Sequence, residues 1–265
     1  MKLKVALCLS GHFRTFAQTK ISFLYNLVER YDPDIFIHTW DNLGYGLNGR
    51  PSNKQTIIPD DETDLKIKQN AHLGTSDNAE FIRSSPKLQS SLFEDVFKKI
   101  KKIEIEDYDE IEPEILAIAS RIDLSWSPYP DYTPTPVSLH RKVYLCNELK
   151  KEYEKLNSVK YDVVIRTRPD LFIDNIDLSD YIKEGSGTTK NKVYLSSEGS
   201  YHAVSDVIAF GDSESMDKYS SLFSKIDYYI EQKANFNPHD LLQRHLKEED
   251  LSVAVEKCGV RVCRV

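Results

Sequence analysis

The sequence predicts an α/β fold: a mixed, mostly parallel sheet flanked by helices, in a single domain spanning 1–265 with a long polar insertion at 41–90. Three observations carry this. Short apolar runs recur (Leu3 to Leu9, Asp34 to Trp40, Val163 to Ile165), with the Val and Ile content of strands buried on both faces. The first two runs flank a segment with helical spacing, so the chain opens strand, helix, strand, as a doubly wound sheet does. The length of 265 residues, 40% hydrophobic and 29% charged, suffices for one sizeable core.

Each element follows from its residues. Leu3 to Leu9 is the first strand, and Ser10, Gly11 and His12 form the turn after it. Thr15 or Thr19 caps a helix whose apolar positions are Ile21, Leu24, Leu27 and Val28. Asp34 to Trp40 is the second strand. Residues 41–90 are rich in Asn, Asp, Ser, Gly and Lys without periodicity, which marks an excursion or lid. Leu92, Phe93, Val96 and Ile100 suggest a helix, and Lys102 to Glu106 a strand. The prolines between Tyr129 and Pro136 exclude regular helix there. A long helix then runs from about Ser138 to Leu156, with Leu139, Val143, Cys146 and Leu149 along one stripe. The strand at Val163 to Ile165 follows and stops at Pro169. Lys192 to Leu195 and Asp206 to Phe210 read as further strands, Asn237 to Asp240 as a helix start, and the alternating tail from Ser252 to Val265 as a last strand.

Composition narrows the function. Net charge is −7 with both signs interleaved, which argues against a nucleic-acid partner. No run approaches 18 apolar residues, and the apolar start is too short for a signal peptide. The four cysteines are scattered and read as free thiols of a reducing compartment, so a cytoplasmic location is expected.

The chemistry gathers at strand ends. Arg166, Arg168 and Asp170 stand at the carboxyl end of a central strand, where open α/β sheets bind ligands. Alternation sends both arginines to one side, favouring a shared target over unrelated surface charges. The plainer reading is an ion pair pinning the strand end. After the first strand, Gly11 lets the backbone approach a nucleotide and Arg14 reach its phosphates; the plainer reading is an ordinary turn.

Four segments in order carry a resemblance: Leu9 to Thr15, Asp34 to Trp40, Tyr161 to Asp170, and Ser205 to Gly211. Together they resemble the bacterial and viral GT-A-fold sugar transferases of lipopolysaccharide and capsule synthesis, including the WavE-like group. The resemblance omits 41–90. It implies a Rossmann-like, GT-A-like architecture, a nucleotide-diphosphate sugar as donor, and a glycan or lipid-linked acceptor at the inner face of the membrane, with room for peripheral membrane contact. In such enzymes an Asp-x-Asp motif holds a divalent metal on the diphosphate. Here Arg168, Pro169 and Asp170 stand in its place, so Asp170 is the one candidate ligand for Mn²⁺ or Mg²⁺. Arginine can neutralise a diphosphate without metal.

The remaining candidates follow from that resemblance. Ser10, Gly11, Arg14, His38, Arg166, Arg168 and Asp170 are assigned to substrate. Asp240, or second Asp206, is assigned as the base of an inverting transfer. His239, paired with Asp240, is also a candidate for chemistry on the acceptor, and His202 or His239 could supply a further metal ligand. Trp40 and Asp41 could wall a nucleoside, while His140 and Arg141 fit helix-surface charge slightly better than a nucleotide contact. Tyr129, Tyr132 and Tyr201 lie in segments expected near the acceptor. Two alternatives remain: a sulfo- or phosphotransferase using the loop from Ser10 to Arg14, though without GxxxxGK[ST], and a non-catalytic glycan-binding relative.

Overall fold

The computed structural model describes residues 3–43, 87–123, 134–178, 189–197, 204–256 and 259–263. Among the described residues there are nine strands, seven of which form the expected mixed sheet flanked by helices. The strands are β1 (Val5–Ser10), β2 (Asp34–Trp40), β3 (Ile100–Glu106), β4 (Val163–Thr167), β5 (Leu171–Asn175), β6 (Lys192–Ser196), β7 (Ile208–Gly211), β8 (Ser252–Glu256) and β9 (Gly259–Val262). Seven make one sheet in the order β3-β2-β1-β4-β7-β6-β8, in which β7 alone runs against its neighbours. β5 and β9 pair separately.

Helix α1 (Phe16–Phe23) continues through a π-turn at Leu24–Val28. It buries Phe16, Phe23 and Leu27 against Leu7, Leu9, Ile35, Ile37 and Ile165 on one face of the sheet. The predicted stripe was offset: Ile21 is exposed, and the phenylalanines face inward. A single turn, α2 (Ser91–Glu94), stands where a longer helix was expected. Helix α3 (Tyr108–Ala119), not foreseen, is capped by Asp107, whose carboxylate accepts from the backbone of Asp109 and Glu110.

Helix α4 (Pro134–Asn157) covers the other face, with Val143 and Cys146 packed on Ala6, Cys8, Phe36 and Val164. It starts four residues before the expected Ser138. Pro134 and Pro136 sit in its first turn, where a missing N–H breaks no intrahelical bond. The last helices are α5 (Ser213–Ser220), α6 (Ile226–Glu231) and α7 (Pro238–Glu248). The tail expected as one strand divides into β8 and β9, which join different sheets. The two ends of the predicted insertion meet, since Asn42 bridges Lys87 and Leu88 N–H donates to Asp41 O (2.7 Å). Its interior lies outside the described residues. Cys8, Cys146 and Cys263 are free and buried, and no helix among the described residues is long and apolar enough to cross a membrane.

Candidate active site

From β1 the chain crosses by α1 to β2 on one side. From β3 it returns by α4 to β4 on the other side of β1. Strand order therefore reverses between β1 and β4, and sheets of this kind take ligands beyond the carboxyl ends of their strands at such a point. The loop after β1 and the loop after β4 meet there.

The first loop turns at Gly11, whose φ of 107° disfavours every L-residue. Its N–H donates to His38 O (3.2 Å), and its carbonyl accepts from the Thr39 hydroxyl (2.9 Å). Space around a Cβ is open, so the constraint is conformational. Gly11→Ala is expected to lower unfolding free energy by about 1–3 kcal/mol, read as a drop in the denaturant midpoint; an unchanged midpoint would remove the turn from this account. Phe13 anchors the loop edge-on to Phe16 and tilted against Phe93, with centroids 5.0 and 5.5 Å away.

The second loop carries the charge. Arg166 points toward α4 and is 1% exposed. Its Nε donates to Ser10 Oγ (3.2 Å) and its Nη1 to Asp206 O, while Nη2 has no hydrogen-bond partner among the described residues. Arg168 grips Asp170 with two bonds, Nε to Oδ1 (2.8 Å) and Nη2 to Oδ2 (2.6 Å), and Arg14 Nε stands 3.8 Å from Oδ2. Burial pushes the Asp170 carboxyl up, but the Arg168 and Arg14 charges outweigh it and hold it below its usual value. The loop is fixed from behind: Thr19 donates to Pro169 O (2.8 Å) and Cys263 N–H to Asp170 O (2.7 Å).

Asp206 is buried at the head of β7. Burial pushes its carboxyl up, and the charges of Arg168 and Arg166 bring it below its usual value. His239 Nδ1 lies 3.7 Å from Asp206 Oδ1 and 2.9 Å from Val204 O. Asn237 caps α7 by accepting from the backbone of His239 and Asp240. Asp240 turns elsewhere, accepting from Asn235 Nδ2 (2.7 Å). His140, expected on a helix surface, is buried beside Asp206, and burial drops its ring to about 3, so it is neutral.

The same correction applies to Arg141. It binds Glu106 through two nitrogens, and Lys142 adds a third bond to that carboxylate (2.6 Å). Lys142 also lies 3.3 Å over the Trp40 ring, and burial lowers it to about 7. Trp40 is thus covered and 1% exposed, which removes it as a nucleoside wall. Asp41 bonds Lys87 and the Tyr108 N–H. His38 is fully buried, with neither ring nitrogen hydrogen-bonded among the described residues, and burial lowers it to about 3. It faces Glu104 and Glu106, not the loops after β1 and β4.

Asp170 does not fit a divalent cation, because both its oxygens are taken by Arg168 and a metal would have to displace a guanidinium. His38, Glu104 and Glu106 bring three possible ligand atoms within 4.8 Å of one another. A metal there would compete with Arg141 and Lys142 for Glu106. Tyr129, Tyr132, Tyr201 and His202 lie outside the described residues.

Of the sequence candidates, Ser10, Gly11, Arg14, Arg166, Arg168, Asp170 and Asp206 therefore gather at the β1 and β4 strand ends, and His38 and Asp240 do not join their contacts. His12 went unmarked: it is buried after β1, its Nδ1 3.4 Å from Asn42 O and its Nε2 without a partner among the described residues. A histidine two positions past a strand end was the only available signal.

No protein-family model and no curated protein matches the chain, so the narrower likeness to WavE-like transferases finds no counterpart. Among solved structures it is similar to the apo crystal structure of mouse xyloside xylosyltransferase 1, at 9% identity and a TM-score of 0.41. That match covers 97% of this chain and 85% of the other. A superposition this loose transfers neither residue roles nor activity.

Proposed function

We propose that this chain is a glycosyltransferase that moves a sugar from a nucleoside-diphosphate donor to a glycan or lipid-linked hydroxyl, in surface-polysaccharide synthesis at the cytoplasmic side of a membrane. One observation supports it above the rest. Among the described residues, the guanidinium groups of Arg14, Arg166 and Arg168 gather around the carboxylates of Asp170 and Asp206 beyond the β1 and β4 strand ends, where this topology takes ligands. Arg14 and Arg168 keep about a fifth of their side-chain surface open, so they can meet a diphosphate. Arg166 lies behind them as fixed positive charge. Arginines in such a setting stabilise charge developing on the departing diphosphate, and no step requires a metal.

A panel of UDP, GDP, dTDP and adenosine 3′,5′-bisphosphate tests this reading by thermal shift. One nucleoside diphosphate is expected to stabilise the protein, by about 2.7 kcal/mol at 100 times its dissociation constant. A shift with adenosine bisphosphate alone would favour sulfo-transfer instead. No shift with any member would remove the donor assignment.

A further inference from the structure

We infer that His239 is the catalytic base of this transfer, with Asp206 as its positioning residue, so that neither Asp206 nor Asp240 takes the acceptor proton. The inference rests on the glycosyltransferase reading and deepens it.

The tautomer carries the argument. Val204 O can only accept, so the His239 Nδ1 that lies 2.9 Å from it must carry a proton. In the neutral ring the lone pair is then on the other nitrogen, Nε2, of a side chain that is 32% exposed. A carboxylate stands behind the protonated side, with Asp206 Oδ1 3.7 Å from Nδ1. An imidazole with one nitrogen fixed by a carbonyl, a carboxylate behind it and a free lone pair in front is oriented to accept a proton.

The two carboxylates are worse placed. Asp206 is 7% exposed and surrounded by Arg168, Arg166, His239 and His140, which makes it a weak base. Asp240 is held by the Asn235 amide. His140 carries a buried Nε2 with no route to an acceptor. Helix α7 fixes the ring position, since its Asn237 cap accepts from the His239 N–H.

In the step, His239 Nε2 takes the proton of the attacking hydroxyl while that oxygen bonds to the anomeric carbon. The anomeric bond to the diphosphate breaks, and its electron pair leaves with the diphosphate. The imidazolium then returns its proton to solvent.

The experiment is release of nucleoside diphosphate from UDP-, GDP- and dTDP-sugars by the full chain, with water as acceptor. His239→Asn is the informative variant, because its amide can still donate to Val204 O but has no lone pair in front. It should lower kcat roughly 10²–10⁴-fold, with KM for the donor and nucleoside-diphosphate binding within about threefold of wild type. Imidazole in the buffer should restore part of the rate to His239→Ala, an effect no structural role would produce. If His239→Asn keeps more than a third of wild-type kcat, or imidazole rescues nothing, the base assignment is overturned while the transferase reading stands. If wild type binds no nucleoside diphosphate and cleaves none of the donors, both fall together.

Discussion

Arg168→Ala is expected to lower kcat/KM for nucleotide-sugar cleavage by about 10²–10³-fold, the range seen when one preorganised donor to a developing oxyanion is removed. The pair with Asp170 makes this variant ambiguous by itself, because it also strands a carboxylate that is 2% exposed. A double variant separates the roles. Arg168→Leu with Asp170→Leu removes both charges and fills similar space, an exchange that buried ion pairs often tolerate or even gain from. If the pair only pins the loop, the double variant recovers both stability and cleavage. The account expects stability to recover and cleavage to stay low. Recovered cleavage would reduce Arg168 to a structural residue.

The largest effect on stability belongs far from the candidate site, at Lys150. Its ammonium is fully buried between α4 and α5, bonded to Ser213 Oγ (2.6 Å), Asp217 Oδ1 (2.7 Å) and Glu154 Oε2 (3.1 Å). Lys150→Ala leaves Glu154 as a buried charge beside a cavity, and removing one partner of a buried pair costs about 3–5 kcal/mol. Glu154 keeps bonds from Ser213 and the Tyr161 N–H, which places the expected loss toward the lower end. Equilibrium urea unfolding measures it. A loss under about 1 kcal/mol, the range of exposed pairs, would mean the network is hydrated and contributes little.

The central strands and the loops after β1 and β4 were legible because their signal is local. A Val- and Ile-rich run ending in Gly or Pro marks a strand end, and charge at such an end marks a ligand edge. Other features depended on distant partners. The buried charged layer on α4 (Arg141, Lys142, Lys150 and Glu154) is invisible to a hydrophobic pattern, since charge at helical spacing ordinarily marks the wet face. Those residues are tolerated inside only because β3 and α5 supply Glu106, Ser213 and Asp217. Pro169 does mark the end of its strand, since β4 stops at Thr167, but β5, which begins two residues later, was not foreseen, because β9 arrives from far along the chain to pair with it. Helix α3 was masked by Pro113 inside it, although Asp107 and the acidic first turn announce its start. His239 drew attention beside Asp240 for acceptor chemistry and as a metal ligand, but its orientation was hidden, because it depends on Val204 and Asp206, more than thirty residues upstream.

The central claim is that positive side chains at the β1 and β4 strand ends grip a leaving diphosphate, and a crystal structure of the protein soaked with UDP, GDP and dTDP in turn tests it most directly. The account predicts diphosphate oxygens within about 3 Å of guanidinium nitrogens of both Arg14 and Arg168, with Arg168 partly released from Asp170. A nucleotide bound elsewhere, with the Arg168–Asp170 pair intact and Arg14 untouched, would contradict it.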